Sequence, residues 1–244
     1  MRYLFLLICC LTSVSGFTAL PKVVNSIAKA KQIIVVKTEN WDQKQGELNL
    51  FERDNNGNWK NVHRGVNVVV GQKGMAWGIG RHPQMRGPVK KEGDLKSPAG
   101  VFTLGTAFGH TDRRHIKELR WPYISITCST LAINDPKSLY YNKIIDSTMV
   151  ASPDWTQSEI MSLNPFYLRG LVIDHNEGRL PKRGSCSFLQ VWQFVDFGTS
   201  GSTAMNANEI TYIINWLKPD HHPLIIQLPI HIYDQIKTSW ELPN

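Results

Sequence analysis

The stretch "GSCSFLQVWQFVDFGTSGSTAM", Gly184 to Met205, governs the reading of the whole chain. Its core, "SFLQVWQF", is rich in β-branched and aromatic residues, which suits a pleated, half-buried strand. Alternate side chains of a strand face opposite ways, so Cys186 and Gln190, four residues apart, are expected on one face. The glycine-rich "GTSGS" then reads as a crossing loop. Beyond it, "NANEITYIINWLKPD" (206 to 220) has Asn206 as a cap and Glu209 at the third helical position to complete a capping box. Ile210, Ile213, Ile214 and Leu217 recur at helical spacing along one face. The helix starts soon after Ser202, so its positive dipole end is expected to point toward that residue.

Working outward, the rest of the chain is also strand-like. "QIIVVKT", "ELNLFER", "NVVVG", "GVFTL", "YISIT", "RGLVIDH" and "PLIIQLP" are short runs separated by Gly, Pro, Asn and Asp. The fold class is therefore mainly β, a β-sandwich or barrel with short helices. "NGNW" (56 to 59) predicts a hairpin turn, because Asn-Gly accepts positive φ angles. Helices are expected over 21 to 32 and 112 to 120. The segment from about 132 to 168 reads as one long irregular region, and loops of that length are commonly functional. Its Tyr140, Tyr141, Trp155 and Tyr167 suggest a lid or substrate wall.

The chain has 244 residues and opens with "MRYLFLLICCLTSVSG", a positive end, a short apolar run and small residues, the pattern of a signal peptide over 1 to 16. The apolar run is about half the ~20 residues a membrane span needs. Lipid attachment at Cys9 or Cys10 is disfavoured by the Ile8 or Cys9 that precedes each. A lead-in over 17 to 30 and a single domain over 31 to 244 are expected, since no Gly/Ser or Pro-rich linker interrupts the chain. Export leaves Cys128 and Cys186, either as a disulfide or as two small buried hydrophobes. The net charge of +7 suits an anionic envelope polymer or surface better than nucleic acid.

The ordered set "GMAWGIG" (74 to 80), "KKEGDLKSPAGVFTLGTAFG" (90 to 109), "GLVIDHN" (170 to 176) and "GSCSFLQVW…TSGSTAM" (184 to 205) resembles the L,D-transpeptidase (YkuD) family. It is similar to the branch with the signature G-S-C-I-F-L-H-x-W followed by T-x-G-C-T-A-M, and the likeness spans roughly 30 to 236. The resemblance implies a β-sandwich-like fold. It also implies chemistry on peptidoglycan stem peptides, in which a cysteine attacks the bond between meso-diaminopimelate and D-alanine and an amine or water takes over the acyl group. Periplasm or cell envelope is the implied location.

Two positions depart from that pattern. The family's nucleophilic cysteine falls on Ser202 and its histidine on Gln190, while Leu189, Trp192, Thr199, Gly201, Thr203, Ala204 and Met205 match. By resemblance Gly201 belongs to the oxyanion side, and Trp192, Thr199 and Thr203 to the substrate side. A serine must lose its proton during attack and so needs a general base, which a glutamine amide cannot be. His175 in "IDHN" is the candidate recruited base, and Cys186 a conceivable migrated thiol or a packed one. "HH" at 221 and 222 with His231 lacks the ligand set of a metal site. No metal, cofactor or nucleotide motif is implied. Two readings follow: a transpeptidase-like enzyme acting through Ser202, or a catalytically silent peptidoglycan-binding protein that anchors or regulates.

Overall fold

"QIIVVKT" is apolar at almost every position and becomes β1 (Gln32–Thr38), buried along nearly its whole length because it lies inside the sheet. The computed structural model describes residues 22–117 and 119–244; the expected leader, Cys9 and Cys10 lie outside the described residues. The chain begins with α1 (Lys22–Lys29), then β1, β2 (Gln45–Arg53), β3 (Trp59–Val69), β4 (Met75–Trp77), β5 (Ser97–Gly109) and β6 (Tyr123–Ser125). It continues through β7 (Thr130–Ile133), β8 (Lys143–Asp146), β9 (Ser158–Ile160), β10 (Arg169–Ile173), β11 (Phe188–Val191) and β12 (Thr203–Met205). The last elements are α2 (Ala207–Trp216), β13 (Leu224–Pro229) and α3 (Ile230–Ile236). The protein is mainly β, as the spacing of apolar runs predicts.

The main sheet runs β10-β11-β12-β3-β2-β1-β13-β5, and β5 pairs with β10 as well, so the sheet closes on itself. The long β5 makes this possible. Its first half, Gly100 to Thr103, pairs with β13, and its second half, from Leu104 to Gly109, pairs with β10. One strand thus turns the corner between two layers, which a sandwich of separate sheets would leave open. Closure is thinnest between β12 and β3, where the register pairs Ala204 with Val69.

The main core gathers Ile33, Val35, Leu48, Val101, Leu189 and Met205 among others, and α1 adds Val23, Val24 and Ile27 to it. The expected lead-in therefore packs into the core from Lys22 onward. The hairpin forms with a different internal support from that expected. Only Gly57 of the turn takes a positive φ, at 82°, while the Asp54 carboxylate accepts the N–H groups of Asn56 and Asn58, both at 2.9 Å.

Three expectations are corrected. Among the described residues of 112 to 120 the only helical turn is one 3₁₀ turn at Arg113–His115, and the Arg113 guanidinium takes the Ile116 and Leu119 carbonyls, each at 2.9 Å. The capping box on α2 does not close: Asn206 accepts from the Asn208 N–H, but Glu209 turns away to His63 Nε2 at 2.8 Å. The C-terminal end of α2 is instead met by Gln32, which donates to the Trp216 carbonyl and accepts the Lys218 N–H. Finally, the segment 132 to 168 is not irregular. It holds a small sheet in the order β8-β7-β9, and Phe108, Ile126, Ala132, Met161, Tyr167 and Phe188 form a second core between it and the barrel.

Gly71 is crowded by backbone near the closing seam. A β-carbon there would lie 2.4 Å from the Leu95 carbonyl oxygen and 2.6 Å from Lys96 Cα. Gly71→Ala is expected to cost about 2–3 kcal/mol, read as a lower urea midpoint with unchanged slope.

Candidate functional site

β11 and β12 are parallel neighbours, with Leu189 opposite Thr203, Gln190 opposite Ala204 and Val191 opposite Met205. Period-two alternation then sorts their side chains. Leu189 and Met205 enter the main core, whereas Phe188 joins the second core on the opposite face. Gln190 and Ala204 share the Phe188 face and line a cavity of about 240 Å³. Ser202 lies one strand step before Ala204, and its Oγ accepts the Phe188 N–H at 3.1 Å. Gln190 on β11 and Ser202, just ahead of β12, are therefore diagonal neighbours across the strand pair. No hydrogen bond joins their side chains among the described residues.

The crossing loop that carries Ser202 is fastened at several points. The Thr199 N–H donates to the Val70 carbonyl at 2.9 Å, and the Gln72 N–H to the Thr199 carbonyl at 2.8 Å. Thr199 Oγ1 accepts the Gly201 N–H at 3.1 Å and donates to the Ser202 carbonyl. The buried Ser97 hydroxyl accepts the Gly71 N–H and donates to the same Ser202 carbonyl, both at 2.8 Å. Gly201 has φ 155°, in the range that favours glycine. Ser97→Ala would strand a buried N–H and remove one of two donors to Ser202, so a loss of about 2 kcal/mol is expected in chemical unfolding.

The structure redistributes the residues expected here. Trp192 and Thr199 line the cavity. Thr203 does not: alternation turns it inward, where its hydroxyl bonds Gln227 Oε1, and Gln227 in turn donates to the Pro98 carbonyl. The Gly201 N–H, expected on the oxyanion side, is already given to Thr199.

His175 is no base for Ser202. Its Nδ1 accepts the Ile79 N–H at 3.1 Å and its Nε2 donates to the Arg183 carbonyl at 2.9 Å, so both ring nitrogens are committed elsewhere. Burial lowers its pKa to about 4, which keeps the ring neutral. The neighbouring Asp174, raised by burial, accepts from Thr103 Oγ1 at 2.8 Å.

Cys186 precedes β11 and has φ 49°, so the strand alternation that would align it with Gln190 does not reach it. Its thiol packs against the second core and burial pushes its pKa up, the state of a packed rather than reactive thiol. Cys128 is exposed and both cysteines are free, so they do not form the disulfide left open by the sequence.

Sequence reading missed Glu159, Asn164 and Phe166, which line the same cavity with Tyr167. Their one signal was the aromatic content of the segment 132 to 168. Of its four named aromatic residues only Tyr167 reaches the cavity; Tyr140 and Trp155 pack edge to face, and buried Tyr141 bonds Glu92. Lys90 was missed as well. It is buried, pairs with Asp94 at 2.6 Å, and its Nζ lies 3.8 Å from the place a β-carbon on Gly201 would occupy.

Fold and site together define a mainly β protein whose sheet closes on itself and which carries a part-polar, part-aromatic cavity over a parallel strand pair. The chain matches no protein-family model and no curated protein. Among solved structures it is similar to the helical cell shape determining protein Pgp2 from Campylobacter jejuni, at 15% identity and a TM-score of 0.35. The match covers 85% of this chain and 54% of that one, so the chain spans about half the length of that structure. Among the described residues no helix is long and apolar enough to cross a membrane.

Proposed function

We propose that this chain is an exported L,D-transpeptidase-like protein that binds peptidoglycan stem peptides along the cavity beside β11 and β12, with acyl transfer nearly or wholly silent. One observation carries the silent half of the reading. Ser202 Oγ accepts a backbone N–H, and no imidazole or carboxylate among the described residues shares a hydrogen bond with it. A serine without a base lacks the means to lose its proton as it attacks. The binding half rests on the retained frame: Trp192, Thr199 and Ala204, which match the signature, line the cavity together with Gln190.

In this reading the protein serves as a wall anchor or a regulator of active relatives. Purified sacculi incubated with the natural chain are expected to retain it on sedimentation, while mass spectrometry of the digested sacculi finds no new cross-links. Vigorous cross-linking by the natural chain would overturn the silent reading, and failure to co-sediment would overturn the binding one.

A further inference from the structure

The geometry points to a primary-ammonium subsite in this cavity, with Glu159 as its counter-ion. Glu159 is the one charged side chain among the residues that line it; the others are polar, aromatic or small. No Lys, Arg or His among the described residues forms an ion pair with it.

The carboxylate is instead held by two neutral donors. Asn164 Nδ2 donates to Oε1 and the Tyr167 hydroxyl to Oε2, both at 2.8 Å. Burial and the adjacent carboxylate push the Tyr167 hydroxyl pKa up, so it remains a donor to Glu159. Each oxygen keeps a lone pair free for an incoming N–H. A carboxylate fixed by neutral groups is oriented without being neutralised.

The walls complete the match. Phe166, Trp192 and Phe197 are among the lining residues, and aromatic rings attract cations; Gln190 lines the cavity too and carries an amide oxygen that can accept. A volume of about 240 Å³ admits a short alkylammonium. A divalent metal would want several carboxylates, and one is present. The inference does not need the stem-peptide reading, because it stands on charge and hydrogen-bond capacity alone.

The test is a titration of the full chain with n-butylammonium, followed by NMR of the Gln190 side-chain amide and the Trp192 indole. Both signals are expected to move, n-butanol should leave them unchanged, and tetramethylammonium should bind at least several-fold more weakly. Glu159→Gln, which keeps the side-chain shape, should weaken n-butylammonium at least tenfold. If that variant does not fold, the comparison of the three probes on the natural chain still decides. Equal shifts with n-butanol, equal affinity for tetramethylammonium, or unchanged binding in a folded Glu159→Gln would each overturn the proposal. Failure here with sacculus binding intact would leave the preceding reading standing, and the converse also holds.

Discussion

Ser202→Cys combined with Gln190→His is expected to raise acyl transfer on stem peptides by at least ~10³-fold over the natural chain, while either change alone gives little. A thiol has an ordinary pKa near ~8.5 and can be drawn to thiolate by an adjacent imidazolium, whereas a hydroxyl cannot. The two positions occupy one face of neighbouring strands, so a histidine at 190 would look toward residue 202 across the β11 and β12 pair. Nucleophile and base act as a unit, which is why the single changes should fall far short of the double. Thioester trapping by mass spectrometry, followed over time for the natural chain and all three variants, measures this. A single Ser202→Cys as active as the double would show that the base comes from elsewhere.

The chain should lose stability steadily as pH falls from about 6.5 to about 4. In the folded state the pKa of His175 is lowered from 6.5 to about 4, chiefly by burial. The unfolded chain takes up this proton first, so the contribution is full above the ordinary value and lost progressively on acidification toward the folded one. The shift corresponds to about 3 kcal/mol. His82, also lowered by burial to about 4, acts in the same direction. Asp174 works against them, since its raised pKa contributes stability at low pH that fades as pH rises. Urea midpoints at pH 7, 5.5 and 4.5 should fall in that order, with a shallower fall in His175→Gln. A flat profile would mean that the imidazole is not neutral in the fold.

The helix over Ala207–Trp216 was legible because Ile210, Ile213, Ile214 and Leu217 keep one period and bury together. The capping box was misread because Glu209 has a competing partner in His63, far away in sequence. The segment 132 to 168 looked irregular because its strands are only three or four residues long, too short for alternation to register.

At the site, the strand carrying Gln190 and the crossing loop were readable from periodicity and from resemblance, whereas the short strand after Ser202, which sets the two positions diagonally, was not. The inward turn of Thr203, the engaged Gly201 amide and the committed ring of His175 were not. Each depends on a hydrogen-bond partner supplied by another part of the chain: Gln227, Thr199, and Ile79 with Arg183.

The division has a physical basis. Local patterning within a dozen residues determined that this protein is mainly β, where its longer strands and its second helix lie, and that residues 190 and 202 carry neither an imidazole nor a thiol. Only the tertiary structure decided that the sheet closes, because closure depends on β5 pairing with β13 along one half and β10 along the other. It also decided that Glu159 and Gln190 line one cavity. Side-chain alternation sets which way a residue points, whereas what it meets there is supplied by strands distant in sequence.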